Sequence, residues 1–360
     1  MTVFILITLA AAIVCLVAFS WLQSRRIERL YPPIGEFVDV GGYRLHVVHV
    51  PAEGTADLPA IVFLHGASGN LRDQVSAFRD GLEGRAELLF VDRPGHGWSE
   101  RGGPQNAFPD GQARAVADLM DRKGISKALI VGHSFGGIIA ANLALERPHK
   151  VSGLLFLATV SHPWPGGIDW HYHVATAPVV GRLATWLLAM PAGLLRIERA
   201  ARCVFSPNRY PPDYLARSAT ALVLRPWTFR HNAHDVANLY DHIVSVSPRY
   251  AEIDKPTIIV TGDSDFVVSP EIHSSALSGA IAGSELVRIR GVGHKPDYVA
   301  TDLCIAAMEK LGGLETDLAA MARRLEQLLA SDTEMSNPPP ASRRRSSAAD
   351  QIPVMPSDPI

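Results

Sequence analysis

The run Ala128-Leu129-Ile130-Val131, then Gly132-His133-Ser134-Phe135-Gly136, then an apolar stretch over 137–145 constrains this chain more than any other feature. Four apolar residues ending at a glycine read as a buried strand, and the longer stretch beyond reads as a helix. A strand that turns into a helix this abruptly leaves no room for side chains beside the turn, which is why glycines flank the serine. The serine itself is forced into a strained backbone that lifts its hydroxyl clear of the sheet edge. The five-residue pattern alone is weak. The strand before it and the helix after it make Ser134 a candidate nucleophile rather than a structural turn.

Residues 60–64, 86–91, 152–158 and 257–261 are further apolar runs of strand length, and 285–289 is a weaker one. Residues 37–40 and 43–50, joined by Gly41-Gly42, read as a hairpin. Such runs separated by helix-like stretches predict an α/β fold: a mostly parallel central sheet with helices on both faces. The 360 residues, 47% hydrophobic, suffice for one large core. A net charge of −2 provides no field to recruit nucleic acid. Cys15, Cys203 and Cys304 lie far apart, which suggests neither a disulfide framework nor a zinc site.

Residues 3–22 contain no charged side chain, and only Thr8 and Ser20 interrupt them with polar groups. Twenty helical residues span about 30 Å, the thickness of a bilayer's hydrocarbon core. Arg25, Arg26 and Arg29 follow while no basic residue precedes. The positive-inside tendency therefore predicts a single-pass anchor with the main domain cytoplasmic. Ala18-Phe19-Ser20 resembles a cleavage site. The missing basic start and the length of the apolar stretch favour an anchor over a signal peptide. The expected organisation is an anchor at 1–24, a linker at 25–36 with Pro32-Pro33, an α/β core at 37–160 and 251–312, and a helical cap at 161–250. The cap region is punctuated by prolines and holds Trp164, Trp170, Trp186 and Trp227, a composition suited to roofing an apolar pocket. Leu314, Leu318, Met321, Leu325 and Leu328 predict an amphipathic helix at 313–334. The Pro- and Ser-rich remainder, 335–360, with Arg343-Arg344-Arg345, reads as a disordered tail.

A serine hydroxyl needs a base to take its proton and a group to orient that base. His294, in Gly291-Val292-Gly293-His294, and Asp265, in Gly262-Asp263-Ser264-Asp265, both follow the ends of strands, where open α/β sheets place their ligands. Asp263 rivals Asp265, which is preferred because it lies further along the loop toward the histidine. The backbone N–H of Phe135 points at a developing oxyanion. A second donor is expected from His65-Gly66-Ala67-Ser68-Gly69, at Ala67, since Gly66 lets the chain turn inward. His171 and His173 alternate across a short extended piece where a metal pair is conceivable, although solvated side chains are the favoured reading.

From about 37 to 311 the chain resembles the α/β-hydrolase superfamily. The resemblance rests on 65–69, on Asp92-Arg93-Pro94-Gly95-His96-Gly97-Trp98-Ser99, on 132–137, and on the Asp265 and His294 loops. It implies Ser134 as nucleophile, His294 as base and then acid, Asp265 as its carboxylate, and Ala67 with Phe135 as oxyanion donors. It implies no cofactor and no metal ion. Haloalkane dehalogenases and epoxide hydrolases of this fold carry aspartate where Ser134 stands. The expectation is a membrane-anchored serine hydrolase acting on a small apolar carboxylic ester, lipid esters included. Carbon–carbon cleavage, lactone hydrolysis and perhydrolysis stay open, as does a non-catalytic membrane-tethered binding protein.

Overall fold

The computed structural model describes residues 1–336 apart from 53 and 55; the expected tail lies outside the described residues from 337 onward. The strands are β1 Glu36–Asp39, β2 Arg44–Val50, β3 Ile61–Leu64, β4 Leu88–Val91, β5 Ala128–His133, β6 Val151–Leu157, β7 Thr257–Gly262 and β8 Glu285–Ile289. Every apolar run picked from the sequence is one of them. They form a single sheet in the order β1-β2-β4-β3-β5-β6-β7-β8. β2 is antiparallel to β1 and β4, and the other neighbouring pairs are parallel.

The central strands are mostly apolar because both faces are covered, whereas the edge strands β1 and β8 carry Glu36, Asp39, Glu285 and Arg288. Ile61, Phe63, Phe90, Val131 and Leu157 join one buried cluster, while Val62, Leu64, Val91, Ile130 and Phe156 join the other, as the two-residue period of a strand requires. α1 (Thr2–Leu30) precedes the sheet. α2 (Leu71–Leu82) packs on the first face; α3 (Pro109–Arg122) and α4 (Phe135–Glu146) pack on the second. α4 is apolar all round, and its residues from Phe135 to Ala144 are all buried.

Between β6 and β7 lie α5 (Trp170–Thr176), α6 (Val180–Ala184), α7 (Met190–Phe205), α8 (Tyr214–Arg217), α9 (Pro226–Ala237) and α10 (Leu239–Val246), and among the described residues no strand. α6 runs into α7 through a π turn at Thr185–Ala189. Pro191 accounts for that turn: it cannot donate to the carbonyl one turn back and crowds it, so the helix widens there. The aromatics of this layer mostly bury one another. Phe205, Tyr210 and Tyr214 cluster with Tyr298, and Trp164 stands edge-on to Tyr240. His171 and His173 sit on the helix α5 instead of on extended chain, so two positions apart they diverge, and both are exposed. α11 (Ala276–Ala280), α12 (Pro296–Val299), α13 (Thr301–Leu311) and α14 (Leu318–Ser336) follow among the described residues.

Two boundaries differ from the expectation. α1 does not end at Ser24 but runs through Arg25–Leu30, because these residues all favour helix and Pro32 is the first breaker. α14 starts at Leu318 rather than near Leu314, where Asp317 accepts a hydrogen bond from the Ala320 N–H at 2.9 Å and caps it. Leu318, Ala322 and Leu325 then pack on the core, while Leu328 faces outward.

β3 connects through α2 to β4 on one side, whereas β5 lies on its other side. The connections leaving β3 and β5 therefore diverge. Switch points of this kind are where open α/β sheets place their ligands, and Ser134 stands at the C-terminal end of β5.

Candidate active site

Ser134 joins β5 to α4 with φ 51° and ψ −118°, a conformation that costs a non-glycine residue energy. Packing holds it there. A Cβ at Gly132 would lie 2.5 Å from the Gly137 Cα, and one at Gly136 would lie 2.0 Å from the Leu64 carbonyl oxygen. The Ser134 N–H donates to the Leu157 carbonyl on β6 at 2.9 Å, fixing the turn to the neighbouring strand.

His294 reaches Ser134 from the loop after β8. Its Nε2 lies 3.1 Å from the Ser134 Oγ and its Nδ1 lies 2.8 Å from Asp265 Oδ2. The other Asp265 oxygen accepts from the N–H groups of Val267 and Val268 at 2.8 and 2.9 Å. With Asp265 Oδ2 accepting from the ring, the imidazole proton sits on Nδ1 and Nε2 faces the hydroxyl as an acceptor. Asp263 takes a different place: it accepts from the Gly291 N–H at 2.8 Å and from the Ser264 hydroxyl, shaping the His294 loop without touching the ring.

On the oxyanion side, Phe135 is the first residue of α4, so its N–H has no partner within the helix and the helix dipole adds to its positive end. Ala67, the other expected donor, follows Gly66 in the loop after β3, where a Cβ on Gly66 would lie 3.1 Å from the Ser134 Cβ. The orientation of its N–H follows from its neighbours. In a trans peptide the Gly66 carbonyl and the Ala67 N–H point in opposite directions. The Gly66 oxygen accepts from His65 Nδ1 at 2.8 Å and from Arg93 Nη2 at 3.2 Å. His65 Nε2 in turn accepts from the Arg93 N–H at 3.1 Å, which fixes the His65 proton on Nδ1. Burial, followed by the nearby Arg93 charge, drops the His65 pKa to about 3 and keeps the ring neutral.

Of the residues expected from the sequence, Ser134, His294 and Asp265 are joined by hydrogen bonds, while the residues that hold the surrounding loops were not foreseen. Arg93 is fully buried beneath the site, with its guanidinium 4.4 Å from the Phe135 ring centroid. It donates to Gln112 at 2.8 Å and to Asp235 of α9 at 2.9 Å. Burial lowers its pKa to about 10, against the pull of Asp235, so it stays charged at neutral pH. Asn232, one turn before Asp235, accepts from the Ser68 N–H at 2.7 Å and donates to the Ser68 hydroxyl. The helical layer thereby grips the loop that carries Ala67. The motif at 92–99 was the available signal for Arg93; Asn232 and Asp235 sit in a helix with no motif of their own.

A second buried polar group lies under His294. The Lys295 ammonium is 2.7 Å from Asp73 Oδ2 and 2.9 Å from Asp297 Oδ2, and these carboxylates raise its pKa against the effect of burial. The His133 ring donates through Nε2 to the His294 carbonyl at 2.9 Å. Burial, then the Lys295 charge, keeps that ring neutral. Candidate ligand atoms of Asp73, His133 and Asp297 come within 4.8 Å of one another, but Lys295 already supplies the cation between the carboxylates.

Comparison with known proteins agrees with this architecture. Residues 59–296, more than half of the chain, match the family model described as the alpha/beta hydrolase fold. Lipase 3 of Moraxella sp. is 25% identical over 241 residues, covering 66% of this chain and 71% of its own. Haloalkane dehalogenase 2 of Mycobacterium tuberculosis is 26% identical over 300 residues, 79% of this chain and 97% of its own. Among solved structures, a meta-cleavage product hydrolase superposes with a TM-score of 0.62 at 18% identity, over 78% of this chain and 98% of that one. The enol-lactonase of Burkholderia xenovorans gives 0.59 at 21% identity, over 77% and 99%. With its sheet order, its strained serine between β5 and α4 and its family match in agreement, this chain belongs to the alpha/beta hydrolase fold family.

Proposed function

We propose that the chain is a membrane-anchored serine hydrolase that cleaves carboxylic esters, lipid esters among them. The observation that carries the reading is the His294 imidazole, within hydrogen-bond reach of both the Ser134 hydroxyl and the Asp265 carboxylate. Ser134 attacks the ester carbonyl while His294 Nε2 takes its proton. The carbonyl oxygen becomes an oxyanion beside the N–H groups of Ala67 and Phe135. His294 returns the proton to the departing alkoxide, which leaves as alcohol. Water, deprotonated by the same ring, then releases the acid and restores the hydroxyl. Asp265 holds the ring in the required tautomer and stabilises the imidazolium formed in each half.

The similarity to a lipase and the serine at the elbow support ester cleavage over dehalogenation, for which the resemblance expects an aspartate nucleophile. The residues at 161–250 serve as the cap over the rim. The apolar stretch of α1 serves as the anchor, exposed from Val3 to Ile7 and at Leu9, Val14, Leu16 and Leu22. Its arginines keep the domain on the cytoplasmic side, a topology that reporter fusions at the C-terminus read directly.

A fluorophosphonate probe should label Ser134, with loss of fluoride, and Ser134→Ala should abolish both labelling and p-nitrophenyl ester turnover. Turnover that survives the substitution would place the chemistry elsewhere. A folded wild-type protein that takes no label would favour a binding protein on this scaffold.

A further inference from the structure

We propose that one face of the α5–α7 region lies in the same membrane leaflet as the C-terminal half of α1, so that the layer over Ser134 is an interfacial surface facing lipid. This deepens the anchored-hydrolase reading and rests on it.

The argument starts from how α1 is seated. Ile13, Val17, Ser20, Ser24 and Ile27 recur at helical spacing and are its only residues before Glu28, Gln23 aside, that are shielded from solvent. Ser20 and Ser24 are small and fully buried, which lets a second helix approach closely. α1 contacts the Thr185–Ala189 turn, α7 and the 220–224 segment, and Ile27 packs with Met190, Leu222 and Leu224. Glu28 pairs with Arg225 at 3.4 Å, and Trp98 donates to the Tyr31 carbonyl at 3.0 Å. If residues 3–22 cross the hydrocarbon core, Ile13, Val17 and Ser20 lie within it, and whatever packs on them sits at membrane depth.

What packs there is apolar on its outer side. Leu188 is 60% exposed and Leu195, two turns on, is 88% exposed; Val180 and Leu183 are exposed on the same helix. Exposed apolar side chains concentrated on one helical stretch mark an interaction surface. The stretch Val180–Phe205 is long and apolar enough to cross a membrane, yet Thr185, Ala189, Met190, Ala201 and Phe205 are buried in the protein. It therefore cannot span alone and instead lies along the interface, apolar side to lipid. The charge pattern agrees. Beyond Leu195 the same helix carries Arg196, Arg199 and Arg202 against the single acid Glu198, all exposed. The end of α1 adds Arg25, Arg26 and Arg29, also exposed. Two arginine clusters bordering two joined apolar surfaces fit the anionic headgroups of a cytoplasmic leaflet. A second protein would have to cover the patch and α1 together without displacing the lipid that α1 needs.

The test uses the full chain with Cys15→Ser and Cys203→Ser, reconstituted in phosphatidylcholine/phosphatidylglycerol vesicles (3:1). A polarity-sensitive fluorophore is placed at Leu188→Cys, at Leu195→Cys, or at Ala282→Cys in the loop before β8, on the opposite edge of the sheet. The expected result is blue-shifted emission and quenching by shallow spin-labelled lipid at 188 and 195, and neither at 282. Leu188→Asp with Leu195→Asp should cut hydrolysis of a vesicle-embedded ester at least fivefold while leaving a soluble short-chain ester unchanged. Protein that floats with the vesicles while both cap labels stay water-exposed overturns the proposal and leaves the anchor standing. Protein that does not float overturns the anchor and this proposal with it. Labels shielded without spin-label quenching would mean a protein contact, and would likewise overturn it.

Discussion

Under Ser134, Arg93, Asp235, Gln112, Lys295 and Asp73 are polar or charged, buried, and bonded to one another or to backbone. Along Val180–Phe205, Leu188 and Leu195 are apolar and open to the surroundings. The first region takes charge out of water and pairs it with opposite charge; the second leaves apolar surface uncovered. Burying an ion costs several kcal/mol unless its partners are well placed, so the first arrangement persists only because rigid elements hold each partner. Such rigidity is what catalysis needs from a site. Uncovered apolar surface has the opposite meaning: its partner is something outside the protein. On the proposed reading, one region prepares the chemistry and the other sets where substrate is met.

That contrast can be broken experimentally. His294→Ala should lower kcat for a soluble ester by about 10⁶-fold, since the triad acts as a unit. Asp265→Asn should cost about 10⁴-fold by favouring the wrong imidazole tautomer. Asp263→Asn should cost less than about threefold, because Asp263 bonds only the loop; equal losses in the two asparagine variants would reverse their assigned roles. Arg93→Met should lower kcat about 10²-fold at nearly constant KM, the cost of one misaimed oxyanion donor. Arg93→Lys should restore only part, since one ammonium cannot serve Gly66, Gln112 and Asp235 together. A matching fall in folded fraction, without a kcat effect in the folded remainder, would make Arg93 purely structural.

The smallest effect concerns stability. His65 is neutral in the folded chain, with a pKa near 3 against an ordinary value of 6.5. Its folded pKa is depressed, so the unfolded chain binds the proton more readily below pH 6.5. The stability contributed by the neutral ring is present above that pH and falls as the medium is acidified toward pH 3. The slope approaches about 1.4 kcal/mol per pH unit from this residue. Urea melts at pH 7.5, 6 and 5 should show the midpoint dropping, and His65→Gln should flatten the drop. Activity lost over that range with no shift in midpoint would separate the two effects.

The sheet was legible because each strand is a local apolar run, and the elbow because glycine spacing and flanking elements are local too. Asp265 and His294 were readable from their positions just after β7 and β8. Asn232 and Asp235 were not, since their role arises only when α9 folds back, Asn232 onto Ser68 164 residues before it and Asp235 onto Arg93 142 residues before it. The start of α14 was missed for a similar reason. The leucine spacing extends one turn too early, and the deciding contact is the cap from Asp317. α1 outran its expected end because charge marks where a membrane stops, whereas only Pro32 marks where a helix must.

Lys295, next in sequence to the proposed base, is moored to the helix that follows the Ala67 loop and to the start of α12. Displacing the backbone at His294 would pull a buried ammonium away from two carboxylates, which opposes such a shift. On the proposed reading the floor of the site is fixed before substrate comes, and gating for entry or exit falls to the helices of 161–250.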